Sequence, residues 1–166
     1  MRPVTLVFCV VGNEVLLAYK KTGFGTGKIN ALGGKFKPEK DITLLDTAVR
    51  ETREEARLIA EPSDLEKVAE IDFLFPEVSQ EAGYDQTMHV YLLQRWRGEP
   101  RETMEMVPVW YSQADMPWDR MWPADKYWIP EVLEGKKLKA TVTFAGKGES
   151  VKDYSAEVVE VFCPPK

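Results

Sequence analysis

The sequence predicts an α+β fold: a mixed sheet with two helices, in one domain over residues 1–166. Three observations predict it. Apolar runs of strand length, bounded by Gly, Pro and Asn turn signals, recur along the whole chain. Residues 41–58 instead carry apolar side chains at three- and four-residue spacing, as a helix does. A second, shorter helical pattern covers residues 128–134.

Each element follows from local chemistry. Residues 4–11 form a near-continuous apolar strand, Gly12-Asn13 turns it, and residues 15–19 return as a hairpin. In residues 20–28, Gly23, Gly25 and Gly27 alternate and could cradle phosphate. The segment lacks the Gly-x-x-x-x-Gly-Lys-Ser/Thr order, and no helix follows at once, so it makes a weak phosphate loop. Residues 30–36 form a short strand containing Gly33-Gly34 and broken by Pro38. Asp41 is placed as the N-cap of the long helix, whose apolar face is Leu45, Ala48, Thr52 and Ala56. Pro62-Ser63-Asp64 is a loop, and residues 65–75 are a strand with Ile71, Phe73 and Phe75 on one side. An acidic loop over 76–86 leads to a partner strand at 87–96 and a turn at 98–100. Residues 105–111 are a loop entering a strand, and 116–127 are irregular. The tail pairs 138–144 with 153–162 across Gly146-Lys147-Gly148.

Composition narrows the function. A net charge of −5 and a pI of about 5.1 argue against a polyanion-binding surface, so polymeric nucleic acid is not an expected partner. Cys9 and Cys163 suggest neither a disulfide framework nor a zinc cluster, and Cys9 reads as a buried small hydrophobe. The single histidine, His89, reads as a structural strand residue. No secretory signal or stretch of roughly 18 apolar residues occurs, so the expectation is a soluble, cytoplasmic protein and a monomer. Trp110 and Trp128 are expected in the core. Asp153-Tyr154 reads as structural, and Lys136, Lys137 and Lys139 as a solvated edge guarding a strand.

The chemistry concentrates at Arg50-Glu51-Thr52-Arg53-Glu54-Glu55. A helix puts Glu51, Glu54 and Glu55 on one stripe, where like charges repel unless a cation lies between them. Mg²⁺ takes oxygen ligands of this kind, usually together with substrate phosphates. The competing reading is a solvated face with four-residue ion pairs such as Arg50–Glu54. That string alone leaves both open.

Residues 33–58 resemble the Nudix box, in which Gly, five residues, Glu and seven residues precede Arg-Glu-hydrophobic-x-Glu-Glu-x-Gly-hydrophobic. The Arg-Glu start and all three helix glutamates match. Lys40 stands where the box has Glu, the span from Gly34 to Arg50 is two residues longer, Thr52 replaces a hydrophobic residue, and Arg57 replaces the helix-ending Gly. The helix should therefore end without the usual left-handed glycine, or run on. The resemblance continues through residues 20–30, Glu105-Met106-x-Pro108-x-Trp110, residues 121–128 and Asp153-Tyr154. Over nearly the whole chain it is closest to the animal MutT-homologue branch of the family.

The resemblance implies an α/β/α sandwich with a mixed central sheet and a catalytic helix following a Gly-Gly loop. It implies Mg²⁺-dependent hydrolysis of oxidised purine nucleoside triphosphates (8-oxo-dGTP-like) to monophosphate and pyrophosphate, a nucleotide-pool sanitation linked to DNA repair. Mn²⁺ is the alternative ion. By the same resemblance, Glu51, Glu54, Glu55, Glu105 and the Gly33 carbonyl hold metal, and Glu54, Glu55 and Glu105 are catalytic, with Glu55 or Glu105 as the base. Asn30 and Asp125 read the purine, Trp122, Phe73 and Phe75 wall it, Phe24 and Thr5 lie nearby, and Lys20 sits closer to the phosphates. Ala124 stands where the branch has the first of two aspartates, which implies a narrower or shifted base preference. Two alternatives remain. One is the same machinery acting on capped RNA, a dinucleoside polyphosphate or ADP-ribose. The other is a non-catalytic nucleotide-sensing module.

Overall fold

The structure is a computed structural model that describes residues 1–162; Cys163 lies outside them. The strands are β1 (Arg2–Val11), β2 (Glu14–Lys20), β3 (Ile29–Asn30), β4 (Leu65–Leu74), β5 (Gln86–Leu93), β6 (Met106–Ser112), β7 (Lys137–Ala145) and β8 (Ser150–Val159). Two helices join them, α1 (Leu44–Ala56) and α2 (Asp125–Leu133). The sheet runs β3-β2-β1-β5-β4-β7-β8, with β6 on β2. β1 pairs parallel with β5, and β4 parallel with β7; the other pairs are antiparallel. The sheet is therefore mixed, as expected.

Strand alternation sends successive side chains to opposite faces and so builds two cores. Val7, Cys9, Leu16 and Ala18 pack with Ala48 and Ala56 of α1 on one face. Leu6, Phe8, Val15 and Leu17 pack with Trp128, Ile129 and Val132 of α2 on the other. Trp128 is fully buried and meets Phe8 edge-on at 5.9 Å, so it is the core residue the sequence predicts. Trp110 is half-buried against Trp96, 6.1 Å away. The Cys9 thiol is buried and pushed up to about 12 by desolvation, so it is inert.

Several expectations change. α1 is capped by Thr43, not Asp41: Thr43 Oγ1 accepts from Asp46 N–H while Asp46 Oδ2 accepts from Thr43 N–H. α1 stops at Ala56 because Arg57 takes the left-handed cap conformation at φ 63° and donates its N–H to the Arg53 carbonyl. Thr52 is fully buried and gives its hydroxyl to Ala48 O at 2.7 Å, so its methyl fills the hydrophobic position without an orphaned polar atom. The strand expected at 30–36 is only Ile29–Asn30, followed by single bridges Leu32–Val7 and Lys35–Val4. α2 begins three residues earlier than predicted, which places Asp125 in its first turn. β7 lies between β4 and β8, so its lysines guard no edge; Lys137 instead pairs with Glu66 at 3.2 Å. His89 faces Lys67 across the sheet, its Nδ1 3.0 Å from Nζ, and burial followed by that ammonium lowers its pKa.

Candidate active site

Gly33 and Gly34 cross directly over β1. The Gly34 N–H donates to Thr5 O at 3.1 Å, and Thr5 N–H donates to Gly34 O at 2.8 Å. A Cβ at residue 33 would overlap the Thr5 carbonyl, and one at residue 34 would overlap the Glu51 carboxylate. Close approach to backbone requires glycine at residue 33, while a side chain at residue 34 would displace the Glu51 carboxylate. The crossing leaves the Gly33 N–H free to donate to Glu55 Oε1 at 2.7 Å, so the loop and α1 are joined at the carboxylate itself.

Glu51 and Glu55, one turn apart, are 7% and 4% exposed, which excludes the reading of a solvated face for these two. Glu105 reaches the same place from the residue just before β6. Oxygens of Glu51, Glu55 and Glu105 lie within 4.8 Å of one another. The loop carrying Glu105 is fastened by Thr103 Oγ1 donating to Glu55 O at 3.1 Å and by Lys21 Nζ donating to Thr103 O at 2.8 Å. Glu54 lies outside this cluster and pairs with Arg50 at 3.3 Å.

Arg50 organises the near side. Its Nη1 donates to Glu51 Oε1, and its Nε and Nη2 grip both oxygens of Asp41, all at 2.7–2.8 Å. Asp41 is 3% exposed and also accepts from Thr47 Oγ1 and Lys37 N–H. The Arg50 guanidinium holds the Asp41 carboxyl well below the usual carboxylate range, against the opposing effect of burial. Asp41 thus supplies an acidic partner for the box arginine where Lys40 does not. The two extra residues alter the spacing without removing the ion pair.

Burial pushes the Glu55 carboxyl up to about 8; Gly33 N–H opposes this and the charges of Glu51 and Glu105 add to it. Glu51 is likewise raised by burial, with Arg50 pulling the other way. Three crowded carboxylates, two of them buried, make a strained anionic site with oxygen-only donors. That is the donor set a hard divalent cation prefers.

Glu55 of the cluster lines a cavity of about 140 Å³. Asn30, Asp125, Trp122, Phe24, Phe73, Phe75, Thr5 and Lys20 all line it, together with Gly33 and Glu55. Phe24 and Trp122 lie near-parallel at 5.4 Å, and Phe75 stacks on Phe144 at 4.8 Å. Phe73 and Phe75 therefore serve core and cavity together. Asn30 Oδ1 accepts from Ala31 N–H at 2.9 Å, so its NH₂ group remains available. Asp125 is 3% exposed, and its Oδ2 accepts from Trp122 N–H at 3.2 Å. Burial pushes its carboxyl up to about 7, offset by that N–H, by the Trp128 indole and by the Lys28 charge. Among the described residues the Trp128 Nε1 has no partner at hydrogen-bond distance.

Sequence reasoning missed Lys28, Gln86, Met88 and Phe144, which also line the cavity. Lys28 Nζ sits 5.0 Å from the Trp122 ring centroid, and its place in the glycine-rich segment was the one available signal. Ala124 is fully buried and presents no polar group.

A family model for the NUDIX domain matches residues 1–132. The oxidized purine nucleoside triphosphate hydrolase of Mus musculus is 34% identical over 161 residues, covering 95% of this chain and 96% of that protein. The Danio rerio protein of the same name is 34% identical over 157 residues, covering 95% and 96%. A MutT protein crystal structure from Bacillus halodurans superposes with a TM-score of 0.74 at 21% identity, covering 95% of this chain and 98% of that one.

Proposed function

The chain belongs to the NUDIX family, and from that premise we propose that it is an enzyme that hydrolyses oxidised purine nucleoside triphosphates to the monophosphate and pyrophosphate. One observation carries the reading: the cavity lined by an aromatic slot with hydrogen-bonding groups reaches Glu55, one of three clustered carboxylates. A triphosphate needs the first, and a flat base needs the second.

Glu51, Glu55 and Glu105 would hold Mg²⁺, with Glu54 and the Gly33 carbonyl beside them. Bound there, the ion would neutralise phosphate charge and acidify a water. In this assignment Glu55 or Glu105 accepts the attacking water's proton. The water oxygen bonds to phosphorus, the α–β phosphoanhydride bond breaks, and pyrophosphate leaves. Lys20 steadies the departing charge. Trp122, Phe73 and Phe75 wall the base, with Phe24 stacked on Trp122 beside them. The Asn30 NH₂ group donates to the base, and the free oxygen of Asp125 meets its other edge. In a pocket without a second carboxylate at residue 124, fewer proton arrangements are available, so one oxidised purine is favoured.

The test is Mg²⁺-dependent pyrophosphate release over dGTP, dATP, 8-oxo-dGTP and 2-hydroxy-dATP. An oxidised nucleotide should exceed its parent in kcat/KM, and 8-oxo-dGTP and 2-hydroxy-dATP should differ clearly. Equal values for the latter pair at neutral pH would overturn the narrowed preference. Replacing Glu55→Gln should lower kcat by about 10²–10⁴, the usual contribution of a positioned base, while nucleotide binding persists. A chain with no turnover to lose would be a sensor.

A further inference from the structure

One polar side chain in the slot has no part in the chemistry above. Gln86 is the first residue of β5 and lines the cavity with Asn30, Asp125 and Trp122. Its backbone lies between two strands, opposite Arg2 of β1 and Phe73 of β4. The preceding residue is pinned as well: Asp85 Oδ1 accepts from Phe75 N–H at 2.8 Å, and Asp85 O accepts from Arg2 N–H at 3.3 Å. The mount is rigid, yet among the described residues no hydrogen bond reaches the Gln86 amide, and the side chain is half-buried.

The nearby walls are apolar: Phe73, Phe75, Phe144 and Met88. An entering ring strips water from an amide in such surroundings, which is unfavourable unless the ring returns a hydrogen bond. The other base-facing groups are partly committed. Asn30 Oδ1 serves Ala31 N–H, Asp125 Oδ2 serves Trp122 N–H, and residue 124 is a buried alanine. Gln86 offers both a donor and an acceptor from a third wall, the sheet itself.

We propose that Gln86 is a base-reading residue: its amide hydrogen-bonds a polar group of the purine that Asn30 and Asp125 leave free, and it sets which purine the enzyme prefers. This rests on the substrate reading given above. A half-exposed glutamine without partners adds nothing to the fold, so its removal should register in substrate choice alone.

Steady-state kinetics of the wild type, Gln86→Met and Gln86→Glu on the same four nucleotides test it. Gln86→Met matches the length but cannot exchange amide hydrogen bonds. It should keep Tm and kcat, raise KM for the preferred purine about tenfold, as for one lost hydrogen bond, and reorder kcat/KM among the four. Gln86→Glu, an acceptor only, should reorder them differently. KM values within twofold of wild type for all four in Gln86→Met would overturn the proposal. So would an equal loss of kcat across all four, which marks a structural role. If the wild type prefers some other nucleotide, the substrate assignment falls, and the same comparison on that nucleotide still judges Gln86.

Discussion

Asp125 shows how much a single residue's surroundings add to its identity. Burial pushes its carboxyl up to about 7, while one oxygen is held by Trp122 N–H. Below that pH the free oxygen carries a proton and donates; above it the group only accepts. The charged side chain facing it is Lys28. We predict that the relative kcat/KM of two purines with opposite hydrogen-bonding edges inverts or shifts strongly across pH 7, and that Asp125→Asn flattens this profile. Stability gives a second sign. The folded pKa exceeds the unfolded value of 3.8, so burying Asp125 costs stability progressively as pH rises from about 4 to about 7. The Tm of Asp125→Asn relative to wild type should therefore climb over that interval, and a flat difference would refute the buried neutral acid. Asn30, Trp122 and Asp125 were legible because each sits in a local motif. Gln86 was not: it belongs to no motif, and the sequence reading ended an acidic loop at 86 where the structure starts β5.

At the scale of elements, α1 was legible in its charged face, misread at its N-cap, and ends, as expected, without a glycine cap. Its three-and-four spacing places Ala48, Thr52 and Ala56 in the core and Glu51 and Glu55 together. Its cap depends on competition between two acidic-polar starts, Asp41 and Thr43. Arg50 decides it by drawing Asp41 into an ion pair. Sequence spacing carries no record of that long-range contact. The other end is decided by Arg57, the one non-glycine described at positive φ. A left-handed conformation costs an L-residue roughly 1–2 kcal/mol, part of which glycine returns as chain entropy in the unfolded state. Arg57→Gly should therefore stabilise the chain by about 0.5–1 kcal/mol in urea unfolding, with activity unchanged. A destabilised variant would mean that the Arg57 side chain contributes contacts outweighing the backbone strain.

For the whole molecule, the two ends of the cavity come from different parts of the chain. α1, the Gly33-Gly34 crossing and the segment before β6 converge on the carboxylate cluster. β4, β5, β7 and the start of α2 build the slot. Glu51 and Glu55 are buried beside a third carboxylate, so a cation bound among them should stabilise the folded chain. At one hundred times its dissociation constant, Mg²⁺ should add about 2.7 kcal/mol, or about 5–10 °C in Tm for a domain of this size. Glu51→Gln should reduce that rise. A Tm indifferent to Mg²⁺ would count against the ion.

The sequence by itself determined the α+β class, the helix bearing the glutamates, the glycine pair before it and the aromatic character of the slot. These follow from short-range periodicity, turn chemistry and motif spacing. Only the tertiary structure decided that Asp41 answers Arg50, that Glu105 rather than Glu54 completes the close carboxylate group, and that Asp125 is buried enough to hold a proton near neutrality. It also brought Gln86 into the wall of the cavity. Each of these depends on which strands pair and which side chains lose water, and those are properties of contacts between residues far apart in the chain.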